Sequence, residues 1–105
     1  MPVRYEDEAR EALLEAVRWY EGHRATLGRR FHEKVKAAER FVALSPTAYP
    51  PIARVGNASI RRVLVEDFPY GLLFMEHAGE LRILAVMHLH RRPGYWRQRA
   101  RRLVP

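Results

Sequence analysis

The segment HLHRRPGYWRQRARR, residues 88–102, carries many of the side chains in this sequence that could do chemistry. It opens with two histidines, continues with arginines around an adjacent tyrosine and tryptophan, and contains no acid. Histidine can transfer protons near neutral pH, arginine can bind a phosphate or a carboxylate through two parallel hydrogen bonds, and an aromatic ring can stack on a base. The segment therefore indicates a solvated tail, an electrostatic contact with an acidic partner, or part of a catalytic site.

Positive charge is concentrated at this end of the chain. The net charge is +7, and residues 88–105 supply most of it through six arginines without an acid. These are Arg91, Arg92, Arg97, Arg99, Arg101 and Arg102. A basic block on a nearly neutral body predicts a polyanion or an acidic protein as partner. Arginine at all six positions favours a binding role over mere solubility, because the planar guanidinium group pairs with phosphates and carboxylates bidentately.

The two histidines, His88 and His90, would share one face of a strand, where two imidazoles could hold a metal ion. The sequence has no cysteine, and Glu80 is the carboxylate nearest to His88 along the chain. We therefore expect no metal and no cofactor. His88 is a candidate for acid–base chemistry, and the alternative is a strand-end imidazole bonded to a backbone carbonyl.

The adjacent aromatic residues Tyr95 and Trp96 follow Pro93-Gly94, a pair that favours a turn. Their rings could stack on the bases of a nucleic acid. An aromatic pair after a turn more often packs back onto the domain and anchors the segment that follows. We therefore favour anchoring over stacking.

Two helices are predicted in the first half of the chain. Residues 7–22 carry apolar side chains at helical spacing, with Asp7 and Glu8 in the first turn, where the helix dipole favours acids. Thr26 is a suitable N-cap for a second helix, and Ser45-Pro46 ends it, because the residue before proline is pushed out of the helical region. Few residues join the two helices, which predicts an antiparallel hairpin.

The second half of the chain is predicted to form an antiparallel sheet after a proline-rich lead-in. Residues 60–65, 72–75 and 81–87 read as strands, and residues 78–80 read as a hairpin loop. Residues 3–5 could add a short first strand. We therefore expect one α+β domain over the whole chain, with the helical hairpin on one face of a small antiparallel sheet and a basic C-terminal tail.

The face of the sheet opposite the helices is the expected place for function. Successive side chains of a strand alternate between faces, so Arg61 and Arg62 point opposite ways and one of them reaches the open face. The basic tail follows directly after the last predicted strand. We therefore expect one of these arginines, the histidines His88 and His90, and the tail to converge on one region.

The sequence also bears on location. The N-terminus has acids where a secretory signal needs a basic start and an apolar run. No apolar run approaches the roughly 20 residues that a membrane-spanning helix needs. The absence of cysteine excludes disulfides and fits a reducing compartment. We therefore expect a cytoplasmic protein that does not bind membranes.

Five stretches, spread over nearly the whole chain, form an ordered set of motifs. They are WYE at 19–21, LGRRF at 27–31, SPTAYP at 45–50, IRRVLVEDFPYGLLF at 60–74 and AVMHLHRRPGYWRQR at 85–99. In this order and spacing they resemble the RelE/ParE superfamily, the toxins of bacterial type II toxin–antitoxin modules. The FPY strand break and the ending H-x-x-R-x-P-x-Y-W are similar to the ParE-like side of that superfamily.

The resemblance implies a fold, partners and two activities. The implied fold is a small α+β domain with an N-terminal helical hairpin against an antiparallel sheet. The implied partner is a cognate antitoxin whose C-terminal segment wraps the toxin, and operator DNA is contacted only through the antitoxin complex. Members of the RelE branch bind the ribosome and cut mRNA without a metal ion, whereas members of the ParE branch inhibit DNA gyrase and are not nucleases.

The nuclease pattern of the RelE branch is matched only in part. Such nucleases use lysines and arginines on the middle strands, an arginine on the last strand and a C-terminal tyrosine or histidine. Arg61 or Arg62 matches the middle-strand arginine, and Tyr95 matches the tyrosine. Residues 49–60 contain no lysine, and Leu89 falls near the last-strand arginine, with Arg91 two places later.

We therefore expect gyrase inhibition, with mRNA cleavage as the alternative and a toxin that only binds its antitoxin as a third possibility. If the protein is a nuclease, the candidate catalytic residues are Arg61, Arg62, His88, Arg91 and Tyr95. The candidate residues for binding a target or an antitoxin are Arg61, Arg62, His88, His90, Arg91, Arg92, Tyr95, Trp96, Arg97 and Arg99.

Overall fold

Two long helices and a five-stranded sheet account for most of residues 1–92 and 94–105, the part of the chain that the computed structural model describes. The elements are β1 (Val3–Tyr5), α1 (Asp7–His23), α2 (Leu27–Leu44), β2 (Pro51–Val55), β3 (Ala58–Leu64), β4 (Tyr70–His77), β5 (Glu80–His88) and α3 (Arg97–Arg101), with a 3-10 turn at Pro46–Ala48 between α2 and β2. The α+β class and the helical hairpin are as the sequence predicts. None of the helices in the described residues is long and apolar enough to cross a membrane.

The turn between the two helices is held by a side chain that the sequence pattern does not reveal. Thr26 is the N-cap of α2, as predicted, but its φ of 71° is left-handed and its side chain makes no capping hydrogen bond. The Glu21 carboxylate accepts hydrogen bonds from the amides of Thr26 and Gly28, both at 2.9 Å. Gly28 lies against α1, because a Cβ there would stand 2.5 Å from the carbonyl oxygen of Val17. The helices therefore approach closely at this end.

The sheet has the strand order β1-β5-β4-β3-β2 and is mixed, whereas the sequence predicts an antiparallel one. Strands β2 to β5 are antiparallel neighbours, but β1 pairs with β5 in parallel. The helical hairpin separates β1 from the other strands, and a crossover of that length permits parallel pairing. The lead-in Pro51–Val55 is itself an edge strand, where a proline at the first position costs no ladder hydrogen bond.

The helices α1 and α2 cover one face of the sheet, here called the helical face. Its buried core joins both helices to alternate positions on β3, β4 and β5. The buried residues are Tyr5, Ala9, Leu13, Ala16, Phe31, Val35, Ala38, Val42, Val63, Val65, Leu72, Phe74, Leu81, Ile83 and Val86. Removal of this apolar surface from water is the main force that holds the hairpin on the sheet.

The opposite face, here called the second face, carries a separate apolar cluster. A bulge in β5 enlarges it, because Leu73 pairs with Ala85 while Phe74 pairs with Ile83, which leaves Leu84 as the extra residue. Leu84 and Ala85 consequently both belong to this cluster.

The C-terminal segment covers the second face instead of extending from the domain as a basic tail. Trp96 is only 4% exposed and Ala100 is fully buried against the second-face cluster, and Leu103 and Val104 pack beside them. The prediction of an open second face is therefore wrong, and the prediction that Trp96 is an anchor is confirmed. The turn predicted at Pro93-Gly94 falls partly on residue 93, which lies outside the described residues.

Candidate functional site

Two of the six C-terminal arginines bind acids at the start of α1. The Arg102 Nη2 group donates a hydrogen bond to the Glu8 carboxylate at 2.8 Å, and Arg99 Nε lies 3.9 Å from the same carboxylate. Arg99 also donates to the carbonyl oxygen of Leu84 on β5 at 2.8 Å. The hydrogen bond from Arg102 is the main reason that the pKa of Glu8 lies below its usual value. These two arginines therefore attach the C-terminal segment to the body.

The other four arginines form no ion pair with the residues that the structure describes. They are Arg91, Arg92, Arg97 and Arg101, and we call them the basic cap. Aromatic rings support two of them, because the Arg91 guanidinium carbon lies 3.9 Å from the centroid of the Tyr95 ring and that of Arg97 lies 5.0 Å from the centroid of the Trp96 ring. Stacking of this kind leaves the N–H edges of a guanidinium group available to an acidic partner.

The Tyr95 ring is close to the guanidinium groups of two arginines. Besides Arg91, the guanidinium carbon of Arg99 lies 5.1 Å from its centroid. Burial raises the pKa of the Tyr95 phenol, and the two neighbouring cations offset only part of that effect. At neutral pH Tyr95 is therefore a protonated phenol that can donate a hydrogen bond.

The middle-strand arginines point to opposite faces of β3, as predicted. Arg61 is paired in register with Phe74 of the helical-face core, and its Nη1 group donates a hydrogen bond to the carbonyl oxygen of Tyr49. Arg62 lies on the second face, where a Cβ at Gly71 would stand 3.1 Å from its Cδ atom. Only Arg62 thus shares a face with the C-terminal segment.

The candidate nuclease residues do not all meet in one place, because His88 and Arg91 lie together whereas Arg61 lies apart from them. His88 pairs with Tyr70 at the start of β4, and Arg61 pairs with Phe74, four residues further along the same strand. Four strand residues span roughly 13 Å. Arg62 is one residue closer along the sheet, but it lies on the face opposite His88. The convergence of Arg61 or Arg62 with the histidines on one region, which the sequence predicts, is therefore not observed.

The two histidines lie next to each other at the end of β5, but they do not share a strand face. Strand β5 ends at His88, and His90 lies in the exposed turn beyond it. The amide of His90 donates a hydrogen bond to His88 Nδ1 at 3.1 Å. A neutral His88 ring that accepts at Nδ1 carries its proton on Nε2. Among the described residues, no group of three or more histidine, cysteine or acidic side chains could hold a metal ion.

His88 and Arg91 line a groove that the sequence pattern does not reveal, here called the α1–β5 groove. It has a volume of about 370 Å³ and runs between α1 and the end of the sheet. Its lining residues are Ala12, Glu15, Ala16, Trp19, Tyr20, Tyr70, Val86, His88 and Arg91. The four α1 positions from 12 to 19 repeat at helical spacing, but only the packing of α1 on β5 shows that they face these two basic side chains.

No model of a known protein family matches the sequence, and no curated protein matches it either. What the site can do therefore depends on its own geometry. The basic cap offers four arginines to an acidic partner, and the α1–β5 groove offers aromatic rings next to a histidine and an arginine.

Proposed function

We propose that this chain is the toxin of a bacterial type II toxin–antitoxin module, similar to the ParE-like side of the RelE/ParE superfamily. It inhibits DNA gyrase in the cytoplasm, and a cognate antitoxin neutralises it. The ordered motifs of the sequence support this proposal. The α+β class and the N-terminal helical hairpin agree with the fold that the resemblance implies, whereas the parallel pairing of β1 with β5 departs from it.

The observation that carries the binding part of the proposal is the basic cap. Burial of Trp96 and Ala100 fixes the C-terminal segment on the second face, so the cap arginines are held on a folded surface. A partner segment rich in Asp and Glu can pair with them without the cost of ordering a free tail. Complementary charge of this kind mainly speeds association and selects the partner.

The separation of Arg61 from His88 and Arg91 favours gyrase inhibition over mRNA cleavage. Attack by a 2′-hydroxyl requires a base, a cation on the reacting phosphate and an acid within hydrogen-bond reach of the same group. Arg61 is engaged with the backbone of Tyr49 and lies far along the sheet from His88. A binding activity needs no such convergence.

The test compares the two activities directly. Expression of the chain is expected to arrest growth, and coexpression of the antitoxin encoded by a neighbouring reading frame is expected to relieve the arrest. Purified protein should inhibit supercoiling by gyrase and leave ribosome-bound mRNA intact. Cleavage of mRNA at codon positions in a translating extract would overturn the gyrase assignment. Binding to the antitoxin without either activity would leave a toxin that has lost its target.

The basic cap is tested with matched variants. Arg91→Ala combined with Arg97→Ala removes two charges from the cap, and Arg24→Ala combined with Arg40→Ala removes two exposed charges from the helical hairpin. The cap variant is expected to slow antitoxin association at low salt, whereas the hairpin variant should not. Equal slowing in both would show that net charge, and not the cap, attracts the partner.

A further inference from the structure

The α1–β5 groove has a chemistry that neither gyrase inhibition nor antitoxin binding requires. Two of its α1 residues are alanines, whose short side chains leave space between α1 and β5. Its volume of about 370 Å³ falls within the range of small-molecule sites. Aromatic, cationic and anionic side chains border it together. Each group has a defined position, and together they select a ligand class.

The first group is an exposed stacking surface. Trp19 is 57% exposed although it lines the groove. The His23 ring stacks on it, with centroids 3.8 Å apart and planes inclined by 30°, and His23 Nδ1 lies 2.8 Å from the Trp19 carbonyl oxygen. The indole is thus supported by a neighbouring ring while much of its surface is open. An exposed indole of this kind is a suitable surface for a planar heterocycle.

The second group is a pair of donors on the opposite side of the groove. Stacking on Tyr95 positions the Arg91 guanidinium group, and the His90 amide occupies His88 Nδ1. The free side of a neutral His88 ring is therefore an Nε2–H donor. A guanidinium group beside an N–H donor binds a phosphate group well.

The third group limits the charge of the ligand. The Glu15 carboxylate lines the same groove, and its charge contributes to the raised pKa of Tyr70, after burial, so the two side chains are near each other. A carboxylate repels additional anionic groups but accepts hydrogen bonds from hydroxyl or amino groups. One phosphate on a sugar therefore fits better than a chain of phosphates.

We propose that the α1–β5 groove binds a nucleoside monophosphate. The base stacks on Trp19, the phosphate binds Arg91 and His88, and Glu15 accepts hydrogen bonds from the sugar hydroxyls or from an amino group of the base. This proposal does not rest on the toxin function, although the groove shares Arg91 with the basic cap. An acidic protein segment would bind the same cations without needing the stacking surface, which is how the two occupants are distinguished.

The experiment measures AMP binding to the whole protein by calorimetry. AMP is expected to bind about tenfold more tightly than adenosine, because the charge-assisted hydrogen bonds to its phosphate contribute about that factor in affinity. ATP should bind no better than AMP. Trp19→Ala should weaken AMP and adenosine alike by roughly tenfold, as expected for the loss of base stacking. Arg91→Ala should weaken AMP by a similar factor and leave adenosine unchanged.

Arg40→Ala is the matched control, because it removes an exposed arginine from α2, away from the groove. It should leave AMP binding unchanged. No AMP binding, equal binding of AMP and adenosine, or equal weakening by Arg40→Ala and Arg91→Ala would overturn the proposal. A trinucleotide with a 5′-phosphate identifies the source of the ligand. If the trinucleotide binds more tightly than AMP and this binding is lost in Trp19→Ala, the site takes the end of a nucleic-acid chain. If the trinucleotide binds more weakly than AMP, the site takes a free nucleotide.

Discussion

Replacement of Trp96 by alanine tests whether the C-terminal segment is part of the folded domain. Trp96 is 4% exposed and packs against the second-face cluster. A tryptophan buries about 150–250 Å², which at about 25 cal/mol per Å² corresponds to roughly 4–6 kcal/mol of transfer free energy. That is an upper bound, and Trp→Ala substitutions in cores cost about 3–5 kcal/mol. For a domain of about 100 residues this lowers the Tm by roughly 12 °C or more.

Trp19→Ala is the matched control, since it makes the same chemical change at a residue that is 57% exposed. It should cost less than about 1 kcal/mol, because surface substitutions rarely cost more. Urea unfolding, read as a change in midpoint at constant m value, measures both variants. If Trp96→Ala and Trp19→Ala lose equal stability, the C-terminal segment does not cover the second face in solution. The cap arginines are then not held on a folded surface.

Three further outcomes follow from the packing and the charges. Gly28→Ala should destabilise the protein by about 2 kcal/mol or more in urea unfolding, since its Cβ would meet a helix carbonyl at 2.5 Å. Gly22→Ala, with open space around the new Cβ, should be neutral or stabilising. Equal effects of the two substitutions would contradict the close approach of the helices. Glu8 has a folded pKa below its usual value, so its ion pairs stabilise the fold at a pH above that usual value and are lost as the pH falls through the folded pKa. Wild type should therefore have a higher Tm than Glu8→Gln at neutral pH and the same Tm in acid. A difference in Tm that persists in acid would refute this. Combining Arg91→Ala with Arg92→Ala should abolish growth arrest with a Tm change of only a few degrees, and full toxicity of that variant would move the target contact elsewhere.

The helices could be predicted because each shows its periodicity over many residues. Helix α1 was predicted within one residue of its observed end at His23. The strand run at residues 81–87 was predicted too, but it is apolar at nearly every position, so alternation could not reveal which side chains face the helices. The bulge at Leu84 then shifts the alternation by one residue. Register depends on the partner strand, which a local pattern does not contain.

The C-terminal helix was missed although its signal was present. Trp96, Ala100, Leu103 and Val104 follow the i, i+4, i+7, i+8 spacing of an apolar helix stripe. The arginines between them instead predict a solvated, charged tail. Of the candidate site residues, the structure brings His88 and Arg91 together in one groove and separates Arg61 from both. The contribution of Trp19 and Glu15 depends on how α1 packs on β5, which is a contact between residues distant in sequence.

The folded C-terminal segment also decides how its arginines must be tested. Deletion of residues 91–105 removes the basic cap, but it also removes Trp96 and Ala100 from the second-face cluster. The apolar residues beneath them would become exposed, and a newly exposed patch of that kind promotes aggregation. Loss of antitoxin binding after the deletion could therefore result either from the missing arginines or from the uncovered second face. Substitution of single arginines keeps the second face covered, so a loss of binding with unchanged Tm reports charge alone.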